Sequence, residues 1–278
     1  AQCPPPRRSA ALARVDPERA PWRYVIVSEA RSLAVTGIPK VMITSLRAVL
    51  NEEARLGGCP VKRCAEARAN GGLRRRANLT ALTRVLILRD PLERLASAYF
   101  NSDANEWIYA GRCKDTSRCS FAQFVGEVHR LRHDASQANT LKNEHFTPQY
   151  RIARVAHMHY HHILRMDSRA DLACLYERLL GRERAVHANR SGKEEAARAK
   201  RLRDLAALFT PEVVGRVLDI YERDIELWRA TEPARGQEAW EPSLTDIVLR
   251  GALEGAPLVL KRPRNESAMA AGGGEGDD

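Results

Sequence analysis

Long apolar runs are missing from this sequence. None approaches the roughly 20 residues that a membrane-spanning helix needs, and no signal peptide stands at the amino terminus. The first residue is Ala1 rather than Met, and the Pro- and Arg-rich segment CPPPRR follows at residues 3–8. We therefore expect a fragment or processed form whose missing first segment could have held a membrane anchor.

Aromatic residues are scarce and acidic residues are outnumbered. The 278 residues contain 6% aromatic and 44% hydrophobic residues, and the net charge is +10. This hydrophobic content is enough for the core of one domain. The positive charge is typical either of a solubilising surface or of a protein with a polyanionic partner, such as nucleic acid, an anionic polysaccharide or a phosphorylated cofactor. The cluster Arg74–Arg76 has no aromatic residue beside it, which disfavours a nucleic-acid-binding module.

Cysteine pairs with the CxxC spacing of zinc knuckles are also absent. The six cysteines include two close pairs, Cys59 with Cys64 and Cys113 with Cys119, whereas Cys3 and Cys174 are isolated in the sequence. The close pairs fit disulfides in an oxidising compartment, and free thiols in a cytosolic protein are the alternative. Glycosylation sequons begin at Asn78, Asn189 and Asn265. They support a secretory glycoprotein only weakly.

Patterns of strands and helices alternate over most of the chain. Short apolar segments typical of strands stand at 24–29, 32–38, 84–89 and 161–167, and amphipathic periodicity predicts helices between and after them. The predicted helices are 44–56, 92–100, 121–132, 169–181, 194–209 and a last one that Thr210 caps and Pro211 begins. The alternation predicts an α/β domain with a central, mostly parallel sheet flanked by helices.

The predicted domain occupies residues 22–230. Residues 1–21 are interpreted as a linker or stem remnant. Periodicity is lost beyond about residue 232 and the chain ends in AAGGGEGDD, so residues 231–278 are interpreted as a largely disordered extension.

A first anion-binding turn is predicted at GIPKVMITS, residues 37–45. It follows an apolar segment and precedes a predicted helix that begins near Thr44. Such a helix directs unpaired N–H groups and its positive dipole end at the turn. Lys40 adds a cation, and Thr44 and Ser45 add hydroxyl donors. The glycines of the nucleotide P-loop are missing here, because Pro39 precedes the lysine.

A second anion-binding segment is predicted at RDPLERLAS, residues 89–97. Arg89 stands at the carboxyl end of a predicted strand, and Ser97 lies two helical turns into the next helix. A guanidinium fork and a hydroxyl suit a phosphate. The structural alternative is a pairing of Arg89 with Asp90 or Glu93, and Arg94 would add charge or face solvent.

These two segments resemble the Golgi carbohydrate sulfotransferases of the chondroitin 4-sulfotransferase and HNK-1 sulfotransferase group. The resemblance covers about residues 22–230, although VMIT at 41–44 and Phe146 depart from the usual pattern of the family. Further segments that resemble the family, in the same order, are NEHFTPQ (143–149), HHILRMDSRADLACLYERL (161–179), HANRSG (187–192) and YERDIELW (221–228).

The resemblance implies a P-loop-like sulfotransferase fold and transfer of a sulfuryl group from PAPS to a glycan hydroxyl. The first segment would bind the 5′-phosphosulfate and the second the 3′-phosphate. Lys40 would stabilise the leaving phosphate, and His145 is our candidate base, with a purely structural histidine as the alternative. The PAPS-binding residues implied are Lys40, Val41, Met42, Ile43, Thr44, Ser45, Arg89, Ser97, Arg190 and Ser191.

The resemblance further implies an anionic glycan acceptor, no nucleic-acid partner and a Golgi-lumenal, type II membrane protein whose anchor lies outside this chain. Alternating His157, His159 and His161 could share one face of a strand as metal ligands. Sulfuryl transfer from PAPS needs no metal, so no metal site is expected. The remaining alternatives are a divergent P-loop kinase and a non-catalytic basic module that binds polyanions.

Overall fold

The computed structural model describes residues 25–28, 31–41, 46, 81–100, 119–133, 145–155, 158–181, 192–231 and 242–255. Its centre is a four-stranded sheet in the order β1, β2, β3, β4. The strands are β1 (Val25–Ser28), β2 (Leu33–Thr36), β3 (Thr83–Leu88) and β4 (His162–Arg165).

The sheet is mostly parallel, as predicted. Only β1 runs antiparallel to its neighbour, while β2 pairs with β3 and β3 with β4 in parallel. All of β2 is buried, and so is β3 apart from its first residue. Continuous apolar strands of this kind are typical of parallel sheets that are covered on both faces. Because β2 and β3 are parallel, their carboxyl ends open at one edge, where both predicted anion-binding segments begin.

Seven α-helices lie within the described residues. Several begin at side-chain caps: for example, Asp90 accepts the N–H groups of the first turn of one helix, and Thr210 precedes Pro211 in another. The helices are α1 (Pro91–Tyr99), α2 (Phe121–His133), α3 (Gln149–Ala153), α4 (Arg169–Ala173), α5 (Gly192–Ala206), α6 (Pro211–Ala230) and α7 (Leu244–Gly255). A π-helical stretch, Cys174–Leu179, continues α4, where the sequence predicted one helix over 169–181.

The hydrophobic core has two parts. One surrounds the sheet and the other lies among α1, α2, α5, α6 and α7. Helix α6 joins them, since Trp228 near its end belongs to the sheet cluster while Val213, Val217 and Tyr221 belong to the helical cluster. The apolar face predicted for this helix is therefore confirmed.

The carboxyl-terminal extension is more ordered than predicted. Leu244–Gly255 form helix α7, and Leu244, Val248 and Leu249 are buried in the helical cluster. Ser243 and Asp246 cap it reciprocally, because the Ser243 Oγ accepts from the Asp246 N–H and the Asp246 carboxylate accepts from the Ser243 N–H. The prediction of a largely disordered extension was wrong for this segment, where helix α7 covers 12 residues.

Other predictions lie wholly or partly outside the described residues. Of the helix predicted over 44–56, Leu46 is described, and it is helical and fully buried. The linker, the three sequons and the cysteines Cys3, Cys59, Cys64 and Cys113 all lie outside. Among the described residues, none of the helices combines the length and apolar character needed to cross a bilayer.

Candidate active site

The predicted anion-binding turn is a tight β-turn at the carboxyl end of β2. The Val41 N–H donates to the Ile38 carbonyl at 2.9 Å, with Pro39 and Lys40 at the central positions. Proline fixes a negative φ at the first central position, and Lys40 has φ of 67° at the second. This combination is a type II turn, whose second central residue is usually glycine. Lysine therefore occupies a strained left-handed conformation at the position where the sequence predicts catalysis.

Arg89 joins the two predicted anion-binding segments directly. Its Nη1 donates to the Lys40 carbonyl at 3.1 Å, and its Nη2 lies 3.5 Å from the Glu93 carboxylate. The long distance makes the ion pair with Glu93 a weak one. The Arg89 side chain is only 12% exposed, and its Nε is buried with no hydrogen-bond acceptor in the described part of the chain. A buried guanidinium with a donor to spare is suited to an anion.

Arg94 links the first segment to the histidine segment. Its Nε donates to the Pro39 carbonyl at 3.1 Å and its Nη1 to the Thr147 carbonyl at 2.8 Å. The residue is 1% exposed. The sequence left solvent exposure open for Arg94, and the structure places it instead inside the site, between the lysine turn and residues 145–148.

Gln149 and Asp224 hold the other side of the same site. The Gln149 side chain accepts from the Arg89 N–H at 3.1 Å and donates to the Arg89 carbonyl at 2.8 Å. The Asp224 carboxylate accepts the N–H groups of Gln149 and Tyr150 at 2.7 and 2.8 Å. Burial raises the pKa of Asp224 to about 6, against the effect of these two N–H donors and of nearby Arg94. This network fixes α3, and with it the histidine segment, to the end of β3.

Asp90 fixes the amino end of α1 next to Arg89. One carboxylate oxygen accepts the N–H groups of Leu92 and Glu93 at 2.8 and 2.9 Å, and the other accepts the Thr245 N–H at 2.8 Å. Burial raises the pKa of Asp90 to about 6, and the neighbouring Glu93 adds to this shift. The carboxylate thus ties α7 to the helix that carries Ser97.

His145 and Ser97 are both half-buried in this region. His145 precedes Phe146, whose carbonyl accepts the hydroxyl of Tyr221 from α6. Ser97 lies on α1 between the buried residues Ala96 and Ala98. The structure therefore brings the segments of Lys40, Arg89, Ser97 and His145 together at one edge of the sheet.

Residues 23–229 match the sequence model of the sulfotransferase family. The chain belongs to the sulfotransferase family. No curated protein and no solved structure matches it in the corresponding comparisons. The matched region ends at the close of α6, so α7 lies beyond it.

One predicted donor of this sulfotransferase is already engaged. The Val41 N–H closes the turn onto Ile38, and the Val41 side chain is fully buried. The Val41 amide is thus directed into the turn, and the assignment of Val41 to PAPS binding stays a prediction. Six further predicted PAPS-binding residues lie outside the described residues: Met42, Ile43, Thr44, Ser45, Arg190 and Ser191.

Several residues that hold the candidate site together were not assigned roles from the sequence. Gln149, Tyr221 and Asp224 stood in the quoted segments NEHFTPQ and YERDIELW, but only as part of the resemblance. A usable signal was present in α6, because Tyr221 and Asp224 carry polar groups on its otherwise apolar face. Buried polar groups need partners, so such positions mark long-range hydrogen bonds.

The histidine-rich segment has a different arrangement from the metal site considered above. The His161 Nδ1 accepts the Arg84 N–H at 2.9 Å, and the Arg84 Nε donates to the His159 carbonyl at 2.6 Å. Burial lowers the pKa of His161, and the Arg84 charge adds to this effect. Within the described residues, no group of three His, Cys, Asp or Glu side chains is placed to hold a metal ion. His157 lies outside these residues.

Cys119 and Cys174 are both disulfide-bonded. Cys174, isolated in the sequence, is thus also paired. Spacing along the chain could not identify this bond, because a disulfide between distant residues depends on the fold.

Proposed function

We propose that this sulfotransferase transfers the sulfuryl group of PAPS to a hydroxyl of a glycan. The observation that supports the proposal is the hydrogen-bonded unit at the end of β2 and β3. Arg89 contacts the Lys40 carbonyl, and Arg94 bridges the Pro39 and Thr147 carbonyls. The lysine turn, the arginine segment and the histidine segment are therefore linked by hydrogen bonds, which a single site for a donor with phosphates at both ends would require.

The two cationic segments suit the two ends of the donor. We assign the 5′-phosphosulfate to the turn of Lys40 and the 3′-phosphate to Arg89 and Ser97. In the reaction, the acceptor oxygen forms a bond to sulfur while the bond from sulfur to the bridging phosphate oxygen breaks. PAP then leaves with the additional negative charge. The Lys40 ammonium is suited to neutralising that charge, since a fixed cation needs no reorganisation as the charge develops.

The proton of the acceptor hydroxyl requires a base, and we assign this role to His145. The residue directly precedes the buried Phe146, on a segment that Arg94 and Tyr221 fix. A neutral imidazole titrates close to physiological pH and so can accept a proton there. Asp224, although buried, is committed to two backbone N–H groups, which makes it a poorer candidate.

The acceptor class and the compartment are also proposals. An anionic glycan fits the net charge of +10. The disulfide-bonded Cys119 and Cys174 favour an oxidising compartment, in accord with a location in the Golgi lumen.

The first experiment is calorimetric titration with PAP, ATP and a single-stranded oligonucleotide, followed by incubation with labelled PAPS and a panel of desulfated polysaccharides. Tight binding of PAP with much weaker binding of the other two, together with transfer of label, supports the proposal. Preference for ATP would instead indicate a kinase, and preference for the oligonucleotide a polyanion-binding module.

The second experiment replaces the candidate base. We expect His145→Ala to lose transfer while its affinity for PAP stays within about twofold of the unmodified chain, because the donor contacts lie on other segments. His129→Ala is the matched control, since His129 pairs with Asp219 on α6 at 2.9 Å and lies on α2. A near-normal transfer rate in His145→Ala would refute the assignment.

A further inference from the structure

Two exposed arginines are held around one tyrosine beside the candidate active site. The Arg151 guanidinium carbon lies 5.8 Å and the Arg223 guanidinium carbon 5.6 Å from the centre of the Tyr150 ring. The Arg151 Nε also donates to the Tyr150 hydroxyl at 2.9 Å. Both distances are within the range in which a guanidinium is attracted to an aromatic ring. We call these three residues the tyrosine–arginine cluster.

The cluster has a fixed position relative to the site. Tyr150 follows Gln149, whose side chain is bonded to both backbone groups of Arg89. Asp224, the neighbour of Arg223, accepts the N–H of Tyr150 at 2.8 Å. One buried carboxylate thus holds the cluster together and attaches it to the end of β3. His145 lies on the same segment, only a few residues before Tyr150.

The chemistry of the cluster fits an anion at the surface. Arg151 and Arg223 are exposed residues, Tyr150 is half-buried, and the ring contacts restrain both guanidinium groups. A restrained side chain loses less conformational entropy when a ligand binds. The planar guanidinium group donates two parallel hydrogen bonds to a carboxylate or a sulfate.

We propose that the tyrosine–arginine cluster binds a carboxylate or sulfate group of the acceptor polysaccharide, on a sugar near the one that is modified. The inference rests on the proposed function, since it needs the acceptor to reach His145. It adds a specific surface to the general positive charge of the chain. An acceptor with a regular series of anionic groups would place one of them at this cluster whenever a neighbouring hydroxyl lies at the base.

The test compares two double variants with the same change in charge. Arg151→Ala with Arg223→Ala removes the cluster cations, and Arg201→Ala with Arg229→Ala removes two exposed arginines of α5 and α6. Transfer from PAPS is measured with a desulfated, uronate-containing polysaccharide and with its carboxyl-reduced form, so that the carboxylates are the only anionic groups compared, at low and high salt. The affinity for PAP is measured by calorimetry on each variant.

We expect the cluster variant to raise KM for the anionic acceptor about tenfold or more, which corresponds to about 1.4 kcal/mol of binding free energy. Its kcat and PAP affinity should change little, and its KM should depend less on salt. KM for the carboxyl-reduced acceptor should be nearly unchanged. Replacement of both arginines by lysine should restore only part of the affinity, because lysine lacks the planar fork.

Three outcomes would overturn the inference. An equal rise of KM in both double variants would show a diffuse charge effect, and a loss of PAP affinity would assign the cluster to the phosphates of the donor. An equal rise of KM for the anionic and the carboxyl-reduced acceptor in the cluster variant would show that the two arginines have only a structural role. The proposed function fails separately, if the unmodified chain transfers no label to any polysaccharide.

Discussion

Lys40 combines a strained backbone with the cation assigned to catalysis. Its φ of 67° places an L-residue with a long side chain in the left-handed region, at the turn position where glycine is usual. The strain is consistent with a functional constraint, because glycine would relieve it but would remove the ammonium group. Backbone stability and function thus favour different residues at this position.

This conflict predicts opposite effects on stability and activity. We expect the free energy of unfolding of Lys40→Gly to be about 1 kcal/mol higher than that of Lys40→Ala, because only glycine adopts a positive φ without steric cost. Both variants should lose transfer by about 10²-fold or more, as expected when a group that stabilises developing charge is removed. Urea unfolding and initial rates with labelled PAPS measure the two effects. Equal stability of the two variants would contradict the strain argument.

Arg94 is a second residue whose role depends on burial. At 1% exposure, its guanidinium donates to the Pro39 and Thr147 carbonyls, which lie far apart in the sequence. A methionine would fill similar volume but would leave both carbonyls without this donor. Each unsatisfied buried polar group costs about 1–3 kcal/mol.

We therefore expect Arg94→Met to lower the free energy of unfolding by at least about 2 kcal/mol and to reduce transfer, since two segments of the site lose their link. The control is Arg201→Met, because Arg201 is exposed on α5. Denaturant unfolding of both variants provides the comparison. If Arg94→Met were as stable as the control, the bridge would not stabilise the site.

Among the elements, helix α7 connects a segment outside the matched family region to the site. The Thr245 N–H in its first turn donates to the Asp90 carboxylate, which also caps α1. The Ser243–Asp246 capping box sets the start of the helix, and the buried face packs on the helical cluster. The amino end of α7 is therefore bonded to the carboxylate of Asp90, the residue that follows Arg89.

The substitution Thr245→Pro removes the hydrogen bond from the Thr245 N–H to Asp90. We expect Thr245→Pro to destabilise the protein by about 1.5–3 kcal/mol, the range for a hydrogen bond to a charged group, because proline lacks the N–H. The first turn of a helix tolerates proline, and Thr245→Ala keeps the N–H and serves as control. In an Asp90→Asn background the effect of Thr245→Pro should shrink, which thermal or urea unfolding of the double variant measures. Full additivity would show that the two residues act independently.

Periodicity and caps predicted most of the described elements, because both are local properties. The Thr210–Pro211 start of α6 and the strands at the centre of the sheet were found within one to two residues of the predicted bounds. The helix α7 was missed although local signals for it are present, since Ser243 and Asp246 form a capping pair and Leu244 and Val248 recur at helical spacing. The π-helical stretch after α4 was missed because its altered hydrogen bonding leaves little trace in the pattern of apolar residues.

The site was predicted in part, for a related reason. Residue types that bind anions at strand ends identified Lys40 and Arg89, and the parallel sheet explains why they meet. The supporting bonds from Arg94, Gln149 and Asp224 join residues more than 50 positions apart. Such pairings depend on how the layers pack and not on local sequence, so a single sequence could not predict them.

At the scale of the whole molecule, the buried carboxyl groups and the histidines have opposite effects on how stability depends on pH. Burial raises the pKa of Asp90 and Asp224 from 3.8 to about 6, so the folded state binds more protons than the unfolded state between these values. Their contribution to stability is present below about pH 4 and is lost as the pH rises through 6. Burial lowers the pKa of His161 and His162, whose contribution is therefore present above about pH 6.5 and is lost at lower pH.

The direction of these pKa shifts predicts how a substitution of Asp90 changes the dependence of the free energy of unfolding on pH. A rise of the pKa from 3.8 to about 6 corresponds to about 3 kcal/mol for each carboxyl, so the free energy of unfolding of Asp90→Asn should depend less steeply on pH between 4 and 6 than that of the unmodified chain. Asp204→Asn, which removes an exposed carboxylate of α5, is the matched control and should keep the original slope.

Asp90 faces Glu93 as well as three backbone N–H groups, so Glu93→Gln should lower the pKa of Asp90 and shift the pH range of this effect to lower pH. Urea unfolding at intervals of half a pH unit resolves these curves, and an unchanged slope in Asp90→Asn would show that Asp90 does not titrate in this range.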